Sequence, residues 1–366
     1  MGVKQDRETS EMSKDNFAYP ITEDEAALYD RQILLWGLQC QRRLIDSRIL
    51  IIGLNGLGAE VVKNLTLSGV KYITIMDETP VPISYSCSQF FISGCKVNQG
   101  RAKASKAAIQ ELNPNVEIQI DSEHIITKTE SFYAQFHAVF ATDCPLSVLV
   151  RVNKMCHSKN VPFYCGDTWG FYGYGFLDLL KHSYSRIRLA KEEKALLNIT
   201  LDYCPLGPAL GVKIGAGSNR NINKVFVLMN VMNNFREMNN RCLNPENRET
   251  EIEELKSVRN FTLLNLGCLE NKVSDEMLGK LFPVITDSFL SGLKSLLHIY
   301  HDNKSDVTHH MRLLCAFGEL SPVCAAVGGV IANEIIKGIT GKNDPIHNFF
   351  LFDGETCTGA VETIIA

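Results

Sequence analysis

The 366-residue sequence lacks most of the features that mark metal-binding, nucleic-acid-binding or membrane proteins. No two of its 12 cysteines have the C-x-x-C spacing of a zinc site, so we expect no bound metal. A net charge of −4 gives no electrostatic reason to bind nucleic acid or an acidic membrane. The first twenty residues contain no apolar core, so the sequence predicts neither a secretory signal nor a membrane span. We expect residues 1–18 to form a disordered tail.

Apolar segments alternate with helix-like segments along the first half of the chain. Near-continuous apolar strands joined through helices are typical of a doubly wound, Rossmann-like, mostly parallel α/β sheet. A capping box at Thr22–Glu25 predicts one helix that runs on to about Gly37, ahead of the sheet. The expected strands are 48–53, 71–77, 116–120, 137–142 and 161–165, and the expected helices are 39–46, 57–68, 99–112 and 146–158.

The composition changes about halfway along the chain. Residues 184–313 are rich in Asn, Glu, Lys and Arg, with helical patterns at 222–236 and 274–298 and little strand signal. We therefore expect the first part of a Rossmann-like domain over 19–183 and a mainly helical insertion over 184–313. Apolar α/β character then returns, so the C-terminal part of the same domain is expected over 314–366.

A glycine-rich segment, Gly53-Leu54-Asn55-Gly56-Leu57-Gly58, lies between the first expected strand and a helix. This order is the dinucleotide-binding fingerprint, in which the helix N-terminus binds phosphates and the middle glycine allows close approach. Asn55 holds that middle position, and we expect its side chain to stand where a phosphate would lie. Asp77, at the end of the second strand, is placed to bind ribose hydroxyls. The sequence therefore predicts the fold of a nucleotide site with altered chemistry.

Several short strings occur in one characteristic order along the chain. The strings are Tyr29-Asp30-Arg31-Gln32-Ile33, Trp36-Gly37, the glycine loop 53–58, Gln89-Phe90, Gly100-Arg101-Ala102-Lys103-Ala104, Ser321-Pro322 and Phe352-Asp353-Gly354. In this order they resemble the adenylation half of the ubiquitin-like activating enzymes, and within it the smaller subunit of a heterodimer, which forms no thioester. The resemblance covers about 20–182 and 314–366 well and the insertion loosely.

The resemblance implies a division of labour between two subunits. The larger partner binds Mg-ATP, adenylates the C-terminal glycine of the modifier and then carries it as a thioester on its own cysteine. The smaller subunit lends an arginine to the partner's ATP, and the matching residue here is Arg31. A permanent, planar cation suits this role. A surface ion pair of Arg31 with Asp30 or Glu25 is the alternative. Chain length favours SUMO as the modifier, and such an enzyme is expected in the nucleus.

The departures from the family pattern concern the nucleotide site. Active adenylation halves carry an Asn-Arg-Gln-Phe string that reaches the phosphates, whereas Cys87 and Ser88 replace its first two residues here. Serine cannot supply the charge-assisted bonds of an arginine. Lys103 and Asp143 hold the family's lysine and metal-side aspartate positions, but Cys144 follows where asparagine is usual. We therefore expect no productive ATP binding by this chain, and a degenerate site made of Gly53, Asn55, Gly58, Asp77, Lys103 and Asp143.

No cysteine of the insertion has the context of a thioester nucleophile. Cys204, Cys242 and Cys268 are followed by proline or leucine, and no neighbouring cation plainly lowers a thiol pKa. The one Cys-Thr pair, at Cys357, follows the last strand and lies outside the insertion. We expect no catalytic cysteine in this chain.

Other functions stay open at this point. A homodimeric adenylyltransferase of the sulfur-carrier type shares the fold, but the Asn-Arg pair and the paired C-x-x-C motifs are missing. An NAD-dependent oxidoreductase fits the glycine loop and not the flanking strings. A subunit for another ubiquitin-like modifier is the third alternative. A partner subunit also requires an apolar surface, which we expect around 327–330 and 65–67.

Overall fold

A computed structural model describes residues 21–81, 88–92, 99–190, 193–211, 222–244, 247–267, 272–282 and 319–363. Within these residues, ten strands form one large sheet and one separate hairpin. The strands are β1 (Arg48–Ile52), β2 (Tyr72–Met76), β3 (Glu117–Ile120), β4 (Ala138–Ala141), β5 (Phe163–Trp169), β6 (Tyr172–Asp178), β7 (Lys181–Ala190), β8 (Glu193–Asp202), β9 (Phe349–Asp353) and β10 (Thr358–Glu362).

The large sheet has eight strands in the order β10-β9-β6-β5-β4-β1-β2-β3. The pairs among β1 to β5 are parallel, and the pairs of β6 with β5 and β9 and of β9 with β10 are antiparallel. The predicted Rossmann-like, mostly parallel sheet is therefore confirmed. The chain order reverses between β1 and β4, and in such sheets ligands bind beyond the carboxyl ends of the strands at this reversal.

The described helices are α1 (Glu23–Leu28), α2 (Asp30–Trp36), α3 (Leu38–Ile45), α4 (Gly56–Leu67), α5 (Arg101–Leu112), α6 (Glu130–Tyr133), α7 (Leu146–Ser158), α8 (Leu206–Leu210), α9 (Lys224–Asn239), α10 (Arg248–Leu266), α11 (Asp275–Gly279) and α12 (Ser321–Thr340). Helices cover both faces of the sheet, and alternate residues of β1 point into the two cores that result. Ile49 and Ile51 join the core beneath α3, α4, α5 and α12, whereas Leu50 and Ile52 join the core beneath α7, α9 and α10.

The helices α4 and α12 approach each other closely. A Cβ atom on Gly328 would lie 2.7 Å from Cβ of Glu60, so only glycine fits at that crossing. Among the described residues, α12 alone is long and apolar enough to span a membrane, with a mean hydropathy of 1.4. More than half of that segment is buried inside the protein, which is typical of a core helix.

The single N-terminal helix expected up to Gly37 is wrong, because the chain forms two helices that meet at Tyr29. The capping box of Thr22 and Glu25 is present and starts α1. Tyr29 then leaves helical geometry, with φ −100° and ψ 16°, and its ring is buried. Its hydroxyl accepts a hydrogen bond from Nδ2 of Asn113 at 2.8 Å. Anchoring this ring redirects the chain, so α2 begins immediately afterwards.

The expectation of little strand structure after residue 184 is wrong for its first part. The strands β7 and β8 form a ten-residue antiparallel hairpin there. The predicted helix over 222–236 is present as α9, and that predicted over 274–298 is observed only as α11, since residues 283–298 lie outside the described part. Phe226 of α9 packs edge-on against Phe349 of β9, with ring centroids 5.2 Å apart. Part of the insertion is thus built into the main core.

Candidate functional site

The glycine loop joins β1 to α4 at the reversal point of the sheet. Gly53 has a positive φ of +86°, and a Cβ atom on it would lie 2.3 Å from the carbonyl oxygen of Thr142. A Cβ atom on Gly58 would lie 2.4 Å from the carbonyl oxygen of Gly53. Both glycines are therefore required for the close packing of the loop itself.

Three N–H groups of this loop, those of Leu54, Gly56 and Gly58, donate to side-chain oxygen atoms of the protein. Asn55 caps α4, and its Oδ1 accepts from the backbone N–H of Gly58 at 2.9 Å. The N–H of Leu54 donates to Oδ2 of Asp77 at 2.6 Å. In a nucleotide site such N–H groups face phosphate oxygens. Asn55 and Asp77 therefore hold two of the donors that a phosphate would use.

A third loop donor is held by a residue that the sequence did not point to. The N–H of Gly56 donates to Oε2 of Glu319 at 3.0 Å, and Oγ of Ser88 donates to the same oxygen at 2.8 Å. Ser88 is buried, while Cys87 lies outside the described residues. Next to Ser88, Nε2 of Gln89 donates to the carbonyl oxygen of Leu54 at 2.8 Å. Ser88 and Gln89 therefore both bind to groups at the glycine loop.

An ion-pair network crosses the carboxyl ends of the central strands. Arg101 of α5 donates from Nε to Asp77 at 2.8 Å and from Nη2 to Asp143 at 2.7 Å. Arg236 of α9 donates to the other oxygen of Asp143 at 2.8 Å and lies 3.6 Å from Asp167. Asp143 has a positive φ of 55°. Both arginines are therefore committed to carboxylates of this chain.

Two acids of the network, Asp143 and Asp167, have pKa values that are shifted in opposite directions. Burial disfavours ionisation of Asp143, but Arg101 and Arg236 outweigh it, so the pKa of Asp143 is lowered. Burial raises the pKa of Asp167 to about 7, and the charge of Asp143 adds to the rise while Arg236 opposes it. The pKa of Glu319 is likewise raised to about 7, chiefly by burial. The two arginines therefore favour the ionised form of Asp143, whereas burial favours the protonated form of Asp167 and Glu319.

Lys103, at the lysine position inferred from the family resemblance, lies apart from this network. Lys103 is exposed on α5, between the buried Ala102 and Ala104, and makes no ion pair with any described residue. Arg101, two residues earlier in sequence, lies at the strand ends instead and pairs with Asp77 and Asp143. Sequence reasoning missed Arg101, Arg236, Asp167 and Glu319. Only Arg101 carried a usable signal, since it lies in the quoted string Gly100–Ala104, whereas the others reach the site through tertiary packing.

The remaining space at the strand ends is small. A cavity of about 110 Å³ lies beside Asp77, Thr79, Arg101 and Asp143. Pockets that hold drug-sized ligands measure about 300–1,000 Å³. The N–H groups of Leu54, Gly56 and Gly58 and the cations Arg101 and Arg236 are all paired within the chain in this structure. Among the described residues, no group of three or more His, Cys, Asp or Glu side chains could hold a metal ion.

Arg31 lies on α2 and takes no part in the ion-pair network at the strand ends. It is exposed and makes no ion pair with a described residue. The pairing with Asp30 or Glu25 is absent, and the carboxylate of Glu25 instead accepts from the N–H of Thr22 at 3.1 Å. A hydrogen bond joins this helix to the end of α4, where Nε2 of Gln32 donates to the carbonyl oxygen of Leu67 at 3.1 Å.

The exposed face of α2 carries apolar side chains next to Arg31. Leu34 and Leu35, three and four residues further on, share its helix face and are 78% and 75% exposed. Leu28 and Leu38 are also exposed nearby in sequence. We call Leu28, Arg31, Leu34, Leu35 and Leu38 the α2 surface.

The apolar surface expected around 327–330 and 65–67 is largely wrong. Val327 and Gly328 of α12 are buried against α4. Leu65, which belongs to α4, is buried too, and of the two predicted segments only Leu67 is substantially exposed. Apolar composition alone did not distinguish the helix–helix contact from a free face.

The cysteines of the insertion do not have the surroundings of nucleophiles. Cys204 is buried, and burial raises its thiol pKa. Cys242 is an exposed residue whose sulfur is nevertheless desolvated, which raises its pKa to about 11. A reactive thiol needs a lowered pKa. Cys268 lies outside the described residues, and Cys357 is exposed in the turn between β9 and β10.

This chain is similar in sequence to known proteins over almost its whole length. SUMO-activating enzyme subunit 1 of Homo sapiens is 35% identical over 369 residues, which cover 94% of this chain and 96% of that protein. The Xenopus tropicalis protein of the same name is 34% identical over 371 residues, covering 94% and 97%. A crystal structure of E. coli MccB with succinimide matches 92% of this chain and 71% of that one, with 12% identity and a TM-score of 0.48. The model of the ThiF family matches residues 29–364, and the chain belongs to the ThiF family.

Proposed function

We propose that this chain is the subunit of a heterodimeric SUMO-activating enzyme that forms no thioester and supports ATP-dependent adenylation of SUMO by a larger partner. The observation that carries the proposal is the identity of 34–35% with SUMO-activating enzyme subunit 1 over almost the full length of both chains. Membership in the ThiF family fits an adenylation-type fold. The nucleus is the proposed location of the complex.

The geometry of the strand ends supports a subunit that leaves nucleotide chemistry to its partner. The loop donors Leu54, Gly56 and Gly58 are paired with oxygens of this chain. Arg101 and Arg236 are held by carboxylates. Mg-ATP does not fit the residues present here, so we place its binding in the partner subunit and assign no step of the reaction to this site.

The α2 surface supports a contribution in trans. Arg31 is a permanent cation on an anchored helix, and no described residue neutralises it. The exposed leucines around it favour burial against another protein, because exposed apolar patches commonly mark interaction sites. Docking of this surface on the partner would bring the guanidinium to the ATP while excluding water around it. Positive charge placed there stabilises the adenylation transition state.

The experiment is reconstitution with purified components. The chain is combined with a candidate larger subunit, Mg-ATP and either SUMO or another ubiquitin-like modifier, and thioester formation on the larger subunit is followed on non-reducing gels. We expect a thioester with SUMO that requires both subunits. Equal thioester formation without this chain would exclude the proposed supporting role.

The same experiment tests the alternatives. Thioester formation with a different modifier and not with SUMO would reassign the substrate. Pyrophosphate exchange by this chain alone, with a modifier and Mg-ATP, would favour a self-sufficient adenylyltransferase of the sulfur-carrier type. The paired state of the loop donors argues against that outcome.

A further inference from the structure

The N-terminus of α4 carries a carboxylate of the protein at the place where a phosphate-binding loop meets its ligand. This helix has 12 residues, and its N-terminal N–H groups carry the positive end of the helix dipole. The Oε2 atom of Glu319 accepts from the N–H of Gly56 at 3.0 Å and from Oγ of Ser88 at 2.8 Å. A phosphate oxygen bound to this loop would take the same two donors.

Close packing leaves no space for a second anion beside this carboxylate. A Cβ atom on Gly56 would lie 2.4 Å from both Cβ and Oγ of Ser88 and 2.9 Å from Oε2 of Glu319. Loop, serine and carboxylate are therefore in direct contact. An incoming phosphate could reach the N–H of Gly56 only by displacing the Glu319 side chain.

The position of Glu319 in the chain makes this contact long-range. Glu319 forms an isolated bridge with Gly170, and Leu320 after it is the N-cap of α12. Its side chain thereby links the start of the last core helix to the first βαβ unit, 263 residues earlier in sequence at Gly56. At the N-terminus of α4, where an anion would bind, the Glu319 side chain thus forms a structural contact between distant parts of the chain.

The negative charge of nearby carboxylates also disfavours phosphate binding while Glu319 is present. Asp77, Asp143 and Asp167 lie in the same region, and the two arginines already serve them. The Asp143 charge is close enough to Glu319 to influence its ionisation. A phosphate bound in addition to Glu319 would therefore add negative charge to a site that has no unpaired cation among these residues, whereas a phosphate bound in place of its carboxylate would substitute one negative charge for another.

We propose that Glu319 is an internal anion that closes the phosphate site of the glycine loop, so that removal of its carboxylate restores binding of a free oxyanion. The proposal concerns this chain alone and does not depend on the identity of the modifier or of the partner. It accounts for a strand–loop–helix phosphate motif in which the N–H of Gly56 donates to a carboxyl group of the chain itself.

The test compares wild type, Glu319→Ala, Glu319→Gln and the matched surface control Glu111→Ala, all as full-length chains. Melting temperatures are measured against inorganic phosphate, with sodium chloride holding the ionic strength constant. For Glu319→Ala we expect a saturable rise of about 2 °C or more, because a ligand that binds only the folded state stabilises it. Wild type, Glu319→Gln and Glu111→Ala should show none, since the glutamine still fills the site. A specific rise in wild type, or none in Glu319→Ala, overturns the proposal.

A second measurement serves if Glu319→Ala does not fold. The amide resonance of Gly56 is followed by NMR across pH 5–9 in wild type and Glu319→Gln, which keeps the side-chain volume. Asp143, Asp167, Arg101 and Cys324 also influence or sense the Glu319 charge, so the isosteric variant is the necessary reference. We expect a titration of the Gly56 amide in wild type that is lost in Glu319→Gln. Identical behaviour of the two proteins would show that the carboxyl does not occupy the loop.

Discussion

Arg236, on a helix of the insertion, donates a hydrogen bond to Asp143 at the carboxyl end of the central sheet, with 2.8 Å between Nη2 and Oδ1. The same Nη2 also donates to the backbone carbonyl oxygen of Asp143 at 2.7 Å. The two groups are separated by 93 residues in sequence. This contact fixes the insertion helix α9 to the strand ends and fills the region where a nucleotide would bind in an active member of the fold.

Arg236→Ala should destabilise the chain through loss of this contact. Removing one partner of a fully buried ion pair costs about 3–5 kcal/mol when the other charge is left without compensation. Arg236 and Asp143 are 18% and 26% exposed, and Arg101 still pairs with Asp143 in the variant, so we expect a smaller loss of about 2–3 kcal/mol. Urea unfolding of the variant and wild type at neutral pH measures the difference.

The matched control is Arg186→Ala. Arg186 pairs with Asp344, but the two side chains are 44% and 48% exposed. Such surface pairs contribute about 0–1 kcal/mol. Equal losses for the two variants would show that the Arg236 contact does not stabilise the fold beyond an ordinary surface pair.

Asp167 should make the stability of the chain depend on pH. Its pKa is raised to about 7 in the folded state, chiefly by burial, whereas an unfolded aspartate titrates near 3.9. Between these values the folded state keeps a proton that the unfolded state has released, so the contribution of Asp167 to stability falls as the pH rises. Above about pH 7 the folded state ionises too and the contribution levels off.

Asp167→Asn removes this titration while preserving the shape of the side chain. Relative to wild type, we expect the variant to gain about 1–3 kcal/mol between pH 5 and pH 7, since one unit of pKa shift corresponds to about 1.36 kcal/mol. Urea unfolding of both proteins at intervals across this range gives the difference. A difference that stays constant, or that changes in the opposite direction, would contradict a raised pKa for Asp167.

The sequence was sufficient for the fold because the strand–loop–helix order and the apolar strands are local signals. The helix at 146–158 is observed with those bounds, and Gly53 and Gly58 are explained by their backbone contacts. The break at Tyr29 was missed because it depends on the long-range bond to Asn113. The hairpin β7–β8 was missed because its charged and polar residues gave weak strand periodicity.

The candidate site was predictable only where its residues are close in sequence. Asp77 and Asp143 end predicted strands, so the topology alone brings them together. Arg236 and Glu319 come from distant segments whose placement against the sheet has no local sequence signature. Lys103 was expected at the site from the family resemblance, but it lies on an exposed helix face.

The exposed leucines of α2 should contribute to heterodimer assembly. Leu34→Ser combined with Leu35→Ser removes apolar surface that is largely exposed in the single chain, so its melting temperature should change little. Binding to the larger subunit should weaken by about tenfold to a hundredfold if these side chains are buried there. Isothermal titration calorimetry with the purified partner measures the change.

Leu264→Ser is the control for this surface. Leu264 is 81% exposed, but it lies on α10, away in sequence from the α2 surface. We expect its substitution to leave partner binding unchanged. A similar weakening by both substitutions would remove the argument that α2 forms a specific interface.

Arg31→Ala should slow adenylation by the assembled heterodimer while leaving assembly intact. The Arg31 guanidinium makes no ion pair with a described residue and projects from a helix anchored through Gln32 and Leu67, so its loss should not disturb the chain itself. Loss of one preorganised contact to a transition-state charge costs about 2.7–4 kcal/mol, or about a hundredfold to a thousandfold in rate. Arg31→Lys should recover only part of the rate, because an ammonium cannot reproduce the planar fork of a guanidinium.

Modifier-dependent pyrophosphate exchange measures this step, and size-exclusion chromatography of the same samples shows whether the heterodimer is intact. The matched control is Lys103→Ala, which removes an exposed cation that lies on α5 and makes no ion pair with a described residue. We expect the control to exchange at the wild-type rate, since charge in general is not the requirement. A loss of exchange that accompanies dissociation would assign Arg31 to assembly. Exchange at the wild-type rate by an intact Arg31→Ala heterodimer would show that Arg31 is a surface residue and that the partner's ATP receives no charge from this chain at that position.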